Sequence, residues 1–243
     1  MNRQPSVPWA ARHLNRTGRI LRGALWALQG IRDRRRLEAR IQGLRERWTS
    51  SAPLIRSELA PAYQTYVSTM STARMAISLQ LATFLSFVCD LTRPTRLLDL
   101  GSGFSSFVFR RYQAASDTPV EVWSVDRSAQ WLESTRTFLA AQNVSTTHLE
   151  TWDTFSARTL PPFDVVFYDL GRERGRFFPV AISFCASTGL FIVDDLQMNR
   201  YRRAVLKDLQ GTPHAFFSLW FYTHDRFGRF AALLTDLVAA PSV

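Results

Sequence analysis

Arg96-Leu97-Leu98-Asp99-Leu100-Gly101-Ser102-Gly103-Phe104-Ser105-Ser106 is the stretch on which the fold of this 243-residue chain turns. An apolar run of strand character passes without interruption into two glycines, and a helical pattern begins at about Phe104. The glycines let the backbone turn sharply and let a ligand approach the main chain without meeting a Cβ. The helix N-terminus behind them offers unpaired N–H groups. Asp99, inside the strand, can accept a hydrogen bond from a cationic amino group or its bound water, and would repel a pyrophosphate.

Outward from this unit the chain alternates. Strand patterns are predicted at 120–125, 146–150, 163–169 and 189–193, with helices at 104–113, 129–143, 177–186 and 199–210. Strands separated by helices of this length predict an α/β fold, a doubly wound, mostly parallel seven-stranded sheet with ligands beyond the carboxyl ends of its strands. The last two strands, 215–223 and 229–235, flank the turn signal Asp225-Arg226-Phe227-Gly228 and predict a terminal antiparallel β-hairpin.

The first part of the chain reads differently. Residues 1–48 hold 12 arginines against three acids, while the rest of the chain is nearly neutral, so the net charge of +10 belongs to an N-terminal arm. Residues 1–15 show no sustained period. Ile20, Leu21, Ala24, Leu25, Leu28 and Ile31 form one helical stripe, and Leu37, Ile41, Leu44 and Trp48 a second, with Gly30 as the break between two helices. The domain division is therefore a basic helical arm, 1–56, and an α/β domain, 57–243, whose helical lead-in spans 57–92.

The arm can pack on the body or on a second subunit, giving a homodimer. Alternatively it lies on a membrane, with its arginines on anionic lipid and Trp26 in the headgroup layer. The near-neutral body argues against a nucleic-acid partner. Cys89 and Cys185 sit in apolar runs, as buried small side chains of a reducing compartment do. The stretch from Met75 to Leu91 is too often interrupted by polar residues for a membrane span, and no secretory signal is evident, so a cytoplasmic location is expected. The Arg-rich, acid-poor N-terminus also fits an organelle transit segment in composition.

The segment Asp99-Leu100-Gly101-Ser102-Gly103 resembles the first motif of class I S-adenosylmethionine-dependent methyltransferases, an acid followed by x-Gly-x-Gly. Ser105 stands where a third glycine is often found. The resemblance implies that Asp99, Gly101, Ser102 and Gly103 bind the methionine part of S-adenosylmethionine. Asp126, at the end of the second strand, is placed to hold two adjacent ribose hydroxyls and resembles the second motif. Asp153 resembles the acid that accepts from the adenine amino group, with Trp152 beside the ring; an ordinary loop acid fits that position equally.

Asp169, Asp194 and Asp195 bring three carboxylates to neighbouring strand ends, a costly arrangement unless positive charge lies among them. A weaker resemblance to catechol-type O-methyltransferases implies a Mg2+ or Ca2+ ion held there against the acceptor oxygens. Those enzymes carry a lysine a few residues after the first ligand, where this chain has Arg172. The other solution is ion pairing to Arg172, Arg174 or Arg176. Asp169 and His224 are the candidate proton acceptors, although a solvated turn histidine fits His224 as well. His13 falls in the arm and His148 in a strand, and no nucleophile motif is present.

Together these imply O-methylation of a small-molecule or glycan acceptor. An aminopropyl or aminocarboxypropyl transferase could share the loop, and a non-catalytic cofactor-binding interaction protein could share the domain. A dinucleotide oxidoreductase fits less well, because Ser106 replaces its third glycine and Asp99 precedes its first. Base amino-group methylation lacks its aromatic Asn/Asp-Pro-Pro-aromatic motif.

Overall fold

The computed structural model describes residues 9–171, 174–210, 212 and 214–235, of which 9–22 are described by backbone alone. Five parallel neighbours form the centre of the sheet: β1 (Arg96–Leu100), β2 (Glu121–Asp126), β3 (Leu149–Thr151), β4 (Phe163–Tyr168) and β5 (Cys185–Val193). With β6 (Ala215–Ser218) and β7 (Ala232–Thr235) the order is β3-β2-β1-β4-β5-β7-β6. The doubly wound, mostly parallel seven-stranded sheet is thus borne out. β1 lies between β2 and β4, so the chain reverses its direction of travel across the sheet there. Such a point opens a crevice beyond the strand ends.

Alternation along each strand divides the apolar residues between two faces. Leu97, Val122, Val165, Phe167 and Ile192 pack on one side, and Leu98, Leu100, Val125, Val166 and Phe191 on the other. Helices cover both faces, which is why these strands read as continuous apolar runs. The first layer holds α3 (Leu79–Thr92), α4 (Phe104–Ala115) and α5 (Ala129–Ala141) with part of the N-terminal helices. The second is built around α6 (Trp152–Ser156), α7 (Arg174–Ile182) and α8 (Asn199–Asp208).

The predicted hairpin is present with a different connection. β7 is antiparallel to both β5 and β6, but β6 stops at Ser218. Residues after it turn into the short helix α9 (Trp220–Thr223), because the Leu219 carbonyl accepts from the Tyr222 and Thr223 amides and the Thr223 hydroxyl. The Asp225–Gly228 turn is therefore part of a longer link.

The arm departs more from expectation. α1 (Trp9–Arg40) is one continuous helix, and Gly30 does not break it. A Cβ at position 30 would sit 2.8 Å from the Cβ of Trp220, so this glycine lets α1 lie against α9. The break comes at Gly43, whose φ of +70° suits only glycine comfortably. Leu25, Leu28 and Ile31 are exposed, while Trp26 packs on Phe230 and Leu37 is buried. Buried Asp33 accepts from the Ser218 amide and from Arg36, fixing α1 to the end of β6. The second stripe is packed as expected, with Leu37 and Leu44 in the core. α2 (Leu44–Thr69) runs unbroken through position 56, with Pro53 and Pro61 inside it. Cys89 is buried and Cys185 half-buried.

Candidate active site

β1 delivers the chain to its glycine loop at the carboxyl edge of the sheet. The Gly101 amide donates to the Val125 carbonyl, and the Asp169 amide donates to that of Leu100, so the loop is tied to the ends of β2 and β4. Gly101 has φ +114°, and a Cβ there would collide with the Asp169 carbonyl oxygen. At Gly103 a Cβ would come 3.0 Å from the Tyr66 hydroxyl. Gly101 is thus required by neighbouring backbone, Gly103 sits tight against Tyr66, and both line a cavity of about 670 Å³.

Asp99 is turned away from that cavity. It is fully buried and accepts from the hydroxyls of Ser105 (2.9 Å), Ser106 (2.5 Å) and Ser124 (3.3 Å). Burial pushes its carboxyl up to about 7, against the pull of those hydroxyls and of Arg110. Asp99 thereby clamps the first turn of α4. Ser105, the departure from the glycine motif, is one of its donors.

Asp126 does line the cavity. Its carboxylate accepts from the Ser128 amide at 2.9 Å, and burial raises its pKa from the ordinary carboxylate value. Ser128 caps α5, accepting from the Trp131 amide. The Trp131 indole then donates to the Ser102 carbonyl at 2.6 Å, holding the glycine loop from the side. Tyr66 packs on Phe104 and Phe138, and burial together with Asp99 and Asp126 suppresses its ionisation. Met75, Ala76 and Ile77, between α2 and α3, also line the cavity. Trp131 escaped the sequence reading. An aromatic in the first turn of the helix after Asp126 was the one signal available.

Asp169 and Asp195 also line the cavity, with Arg174 between them. Arg174 Nη1 lies 2.7 Å from Asp169 and 3.0 Å from Asp195, while Nε donates to the Gly171 carbonyl at 2.8 Å. Burial pushes the Asp169 carboxyl up to about 6, opposed by Arg174. Asp194 is buried, accepts from the Asp195 amide at 2.7 Å, and is absent from the cavity wall. Its carboxyl is raised well above the ordinary value by burial and by the two neighbouring acids. Among the described residues no three His, Cys, Asp or Glu side chains are grouped to hold a metal ion. The residues therefore do not fit the Mg2+ or Ca2+ site that the strand-end acids suggested. Arg172 lies outside the described residues.

Two further predicted residues are placed elsewhere. Asp153 is exposed in the first turn of α6, and Trp152 is buried against Phe177 and Phe184. His224 stacks on Trp220 with centroids 4.7 Å apart, and neither His224 nor Asp153 lines the cavity.

The sequence matches no family model and no curated protein. Solved structures do match. The O-methyltransferase from Bacillus cereus in complex with SAH is 15% identical, with 74% of this chain and 90% of that chain covered at a TM-score of 0.58. Cofactor-bound Rv0187 from MTB is 22% identical over 72% and 90% of the two chains, at 0.57. TomG from Streptomyces achromogenes, an O-methyltransferase involved in tomaymycin synthesis and solved with SAM, is 18% identical over 74% and 89%, at 0.55. The fold is that of the S-adenosylmethionine-dependent O-methyltransferases. In this methyltransferase fold the cavity lies at the carboxyl ends of β1, β2 and β4 and is lined by the glycine loop, Asp126 and the acid pair. No helix among the described residues is long and apolar enough to cross a membrane.

Proposed function

We propose that this chain transfers a methyl group from S-adenosylmethionine to an oxygen of a small molecule or glycan. The observation that carries the reading is one cavity bounded by the Gly101–Gly103 loop, the Asp126 carboxylate and the Asp169 carboxylate. The donor's fit rests on this chemistry. The glycines leave backbone uncovered, Asp126 can accept from two vicinal hydroxyls, and Trp131 offers an apolar wall. When bound, S-adenosylmethionine supplies an electrophilic methyl carbon on a sulfonium. Asp169, on the cavity wall, accepts the proton as the acceptor hydroxyl becomes an ether oxygen. The Met75–Ile77 segment excludes water and holds the acceptor close, where positioning alone contributes several kcal/mol.

Calorimetric titration with S-adenosylhomocysteine tests donor binding, and incubation with candidate acceptors followed by mass analysis tests transfer. A gain of one methylene unit (about 14 Da) supports methylation. A gain of an aminopropyl or aminocarboxypropyl group would replace this reading by that of a related transferase, and absence of binding would remove both.

A further inference from the structure

We propose that the Arg174 guanidinium permanently holds the place of a divalent cation between Asp169 and Asp195, so that the site works without metal. The proposal deepens the methyltransferase reading and rests on it for the meaning of the site, though not for its test.

A single nitrogen, Nη1, lies within 3.0 Å of both carboxylates, as a shared counter-charge must. Arg174 is also fixed at its other end. Nε donates to Gly171, the Arg174 carbonyl accepts from the Tyr168 hydroxyl at 2.5 Å, and the guanidinium lies 5.4 Å from the Tyr201 ring centre. Only 13% of its side chain is exposed, unlike an arginine that samples solvent. Asp195 adopts a left-handed φ of +61° and accepts from Gln197 as well as Arg174. Asp194, the third acid, is committed to the Asp195 amide.

A hard divalent ion completed by waters could use these two carboxylates only by displacing Arg174, whose Nη1 already occupies the point they share. Guanidinium meets both carboxylates with one positive charge and planar N–H donors. It stays protonated at any working pH, so it can hydrogen-bond an acceptor oxygen but cannot remove its proton. Arg174 lines the cavity, and its bonds to the described residues run through Nε and Nη1. Proton removal therefore falls to Asp169, and Arg174 orients both acid and acceptor.

The test is manganese titration of the full chain, followed by electron paramagnetic resonance of free Mn2+. The wild type is expected to show no saturable binding up to millimolar Mn2+. Arg174→Ala is expected to bind saturably, with a dissociation constant at least tenfold below the highest Mn2+ concentration used, and Asp195→Asn added to it to abolish that binding. Arg174→Gln, closer in volume, serves in its place if the alanine variant does not fold. Wild-type binding that Asp195→Asn removes would overturn the proposal, as would a folded Arg174 variant with no saturable binding. Because the readout is metal binding, a protein that fails to bind S-adenosylhomocysteine would sink the methyltransferase reading and leave this result standing.

Discussion

Arg229 and Asp225 are joined at 2.7 Å, Nε to Oδ2, in a pair whose carboxylate side chain is 3% exposed. Asp225 also accepts from the Phe227 and Arg229 amides, which shapes the turn. The rest of the guanidinium reaches back across the molecule to the carbonyls of Ala73, Arg74 and Ala76. The link between β6 and β7 is thereby bolted to a segment that lines the cavity.

Removing one partner of such a pair strands the other. Asp225→Ala is expected to destabilise the chain by about 3 kcal/mol, because a buried guanidinium loses its counter-charge and two amides lose their acceptor. For a chain of this size that corresponds to a fall in Tm of about 6–12 °C. Thermal melting checks it, and a shift below about 2 °C would show that the pair is not structural. Arg229→Lys keeps the charge but not the fork, so it should loosen the 73–76 segment and raise KM for the acceptor more than it lowers Tm.

Asp126 is expected to act on the donor alone. Asp126→Ala should weaken S-adenosylhomocysteine by about 2 kcal/mol, roughly 30-fold, the scale of a charge-assisted hydrogen bond to hydroxyls. Calorimetry gives the number. Affinity unchanged in the variant would place the ribose elsewhere.

How much of this was legible depends on the range over which each signal acts. The strand, glycine loop and helix at 96–115 were readable because strand period, turn chemistry and helix start are all local, and Asp126 followed from its place at the next strand end. The arm was not. Leu25, Leu28 and Ile31 made a persuasive stripe, yet the face that packs is marked by Trp26, Gly30, Asp33 and Leu37. Gly30 looks like a breaker until Trp220, far along the chain, gives it a reason. Arg172, Arg174 and Arg176 are equivalent as letters, and only the geometry of α7 brings Arg174 to the acids. Likewise, nothing local says that Asp99 faces three serines.

Asp99 carries a pH signature. Its carboxyl titrates at about 7 in the folded chain, against roughly 3.9 for an ordinary aspartate. The folded state therefore holds a proton that the unfolded state has released. Stability from this group is complete below about pH 4, falls as pH rises, and is level again above about 7. Asp99→Asn should remove that slope, since the amide is neutral throughout and the serine hydroxyls can turn to meet it. Urea unfolding at pH 5 and pH 7.5 makes the comparison, and parallel losses in wild type and variant would mean the acid is not buried as described.

The last expectation concerns chemistry rather than binding. Asp169 lines the cavity with Asp126, and its backbone carbonyl backs Gly101. Asp169→Asn preserves the shape and the close approach to the glycine loop while removing the base. Positioned proton transfer is worth about 10²–10⁴-fold, so kcat should fall within that range while affinity for S-adenosylhomocysteine changes only a few-fold. A variant that keeps kcat would show that the acceptor loses its proton to solvent. In that case the Asp169–Arg174 pair would orient the acceptor without taking part in proton transfer, and Arg174→Ala would then raise KM while leaving kcat in place.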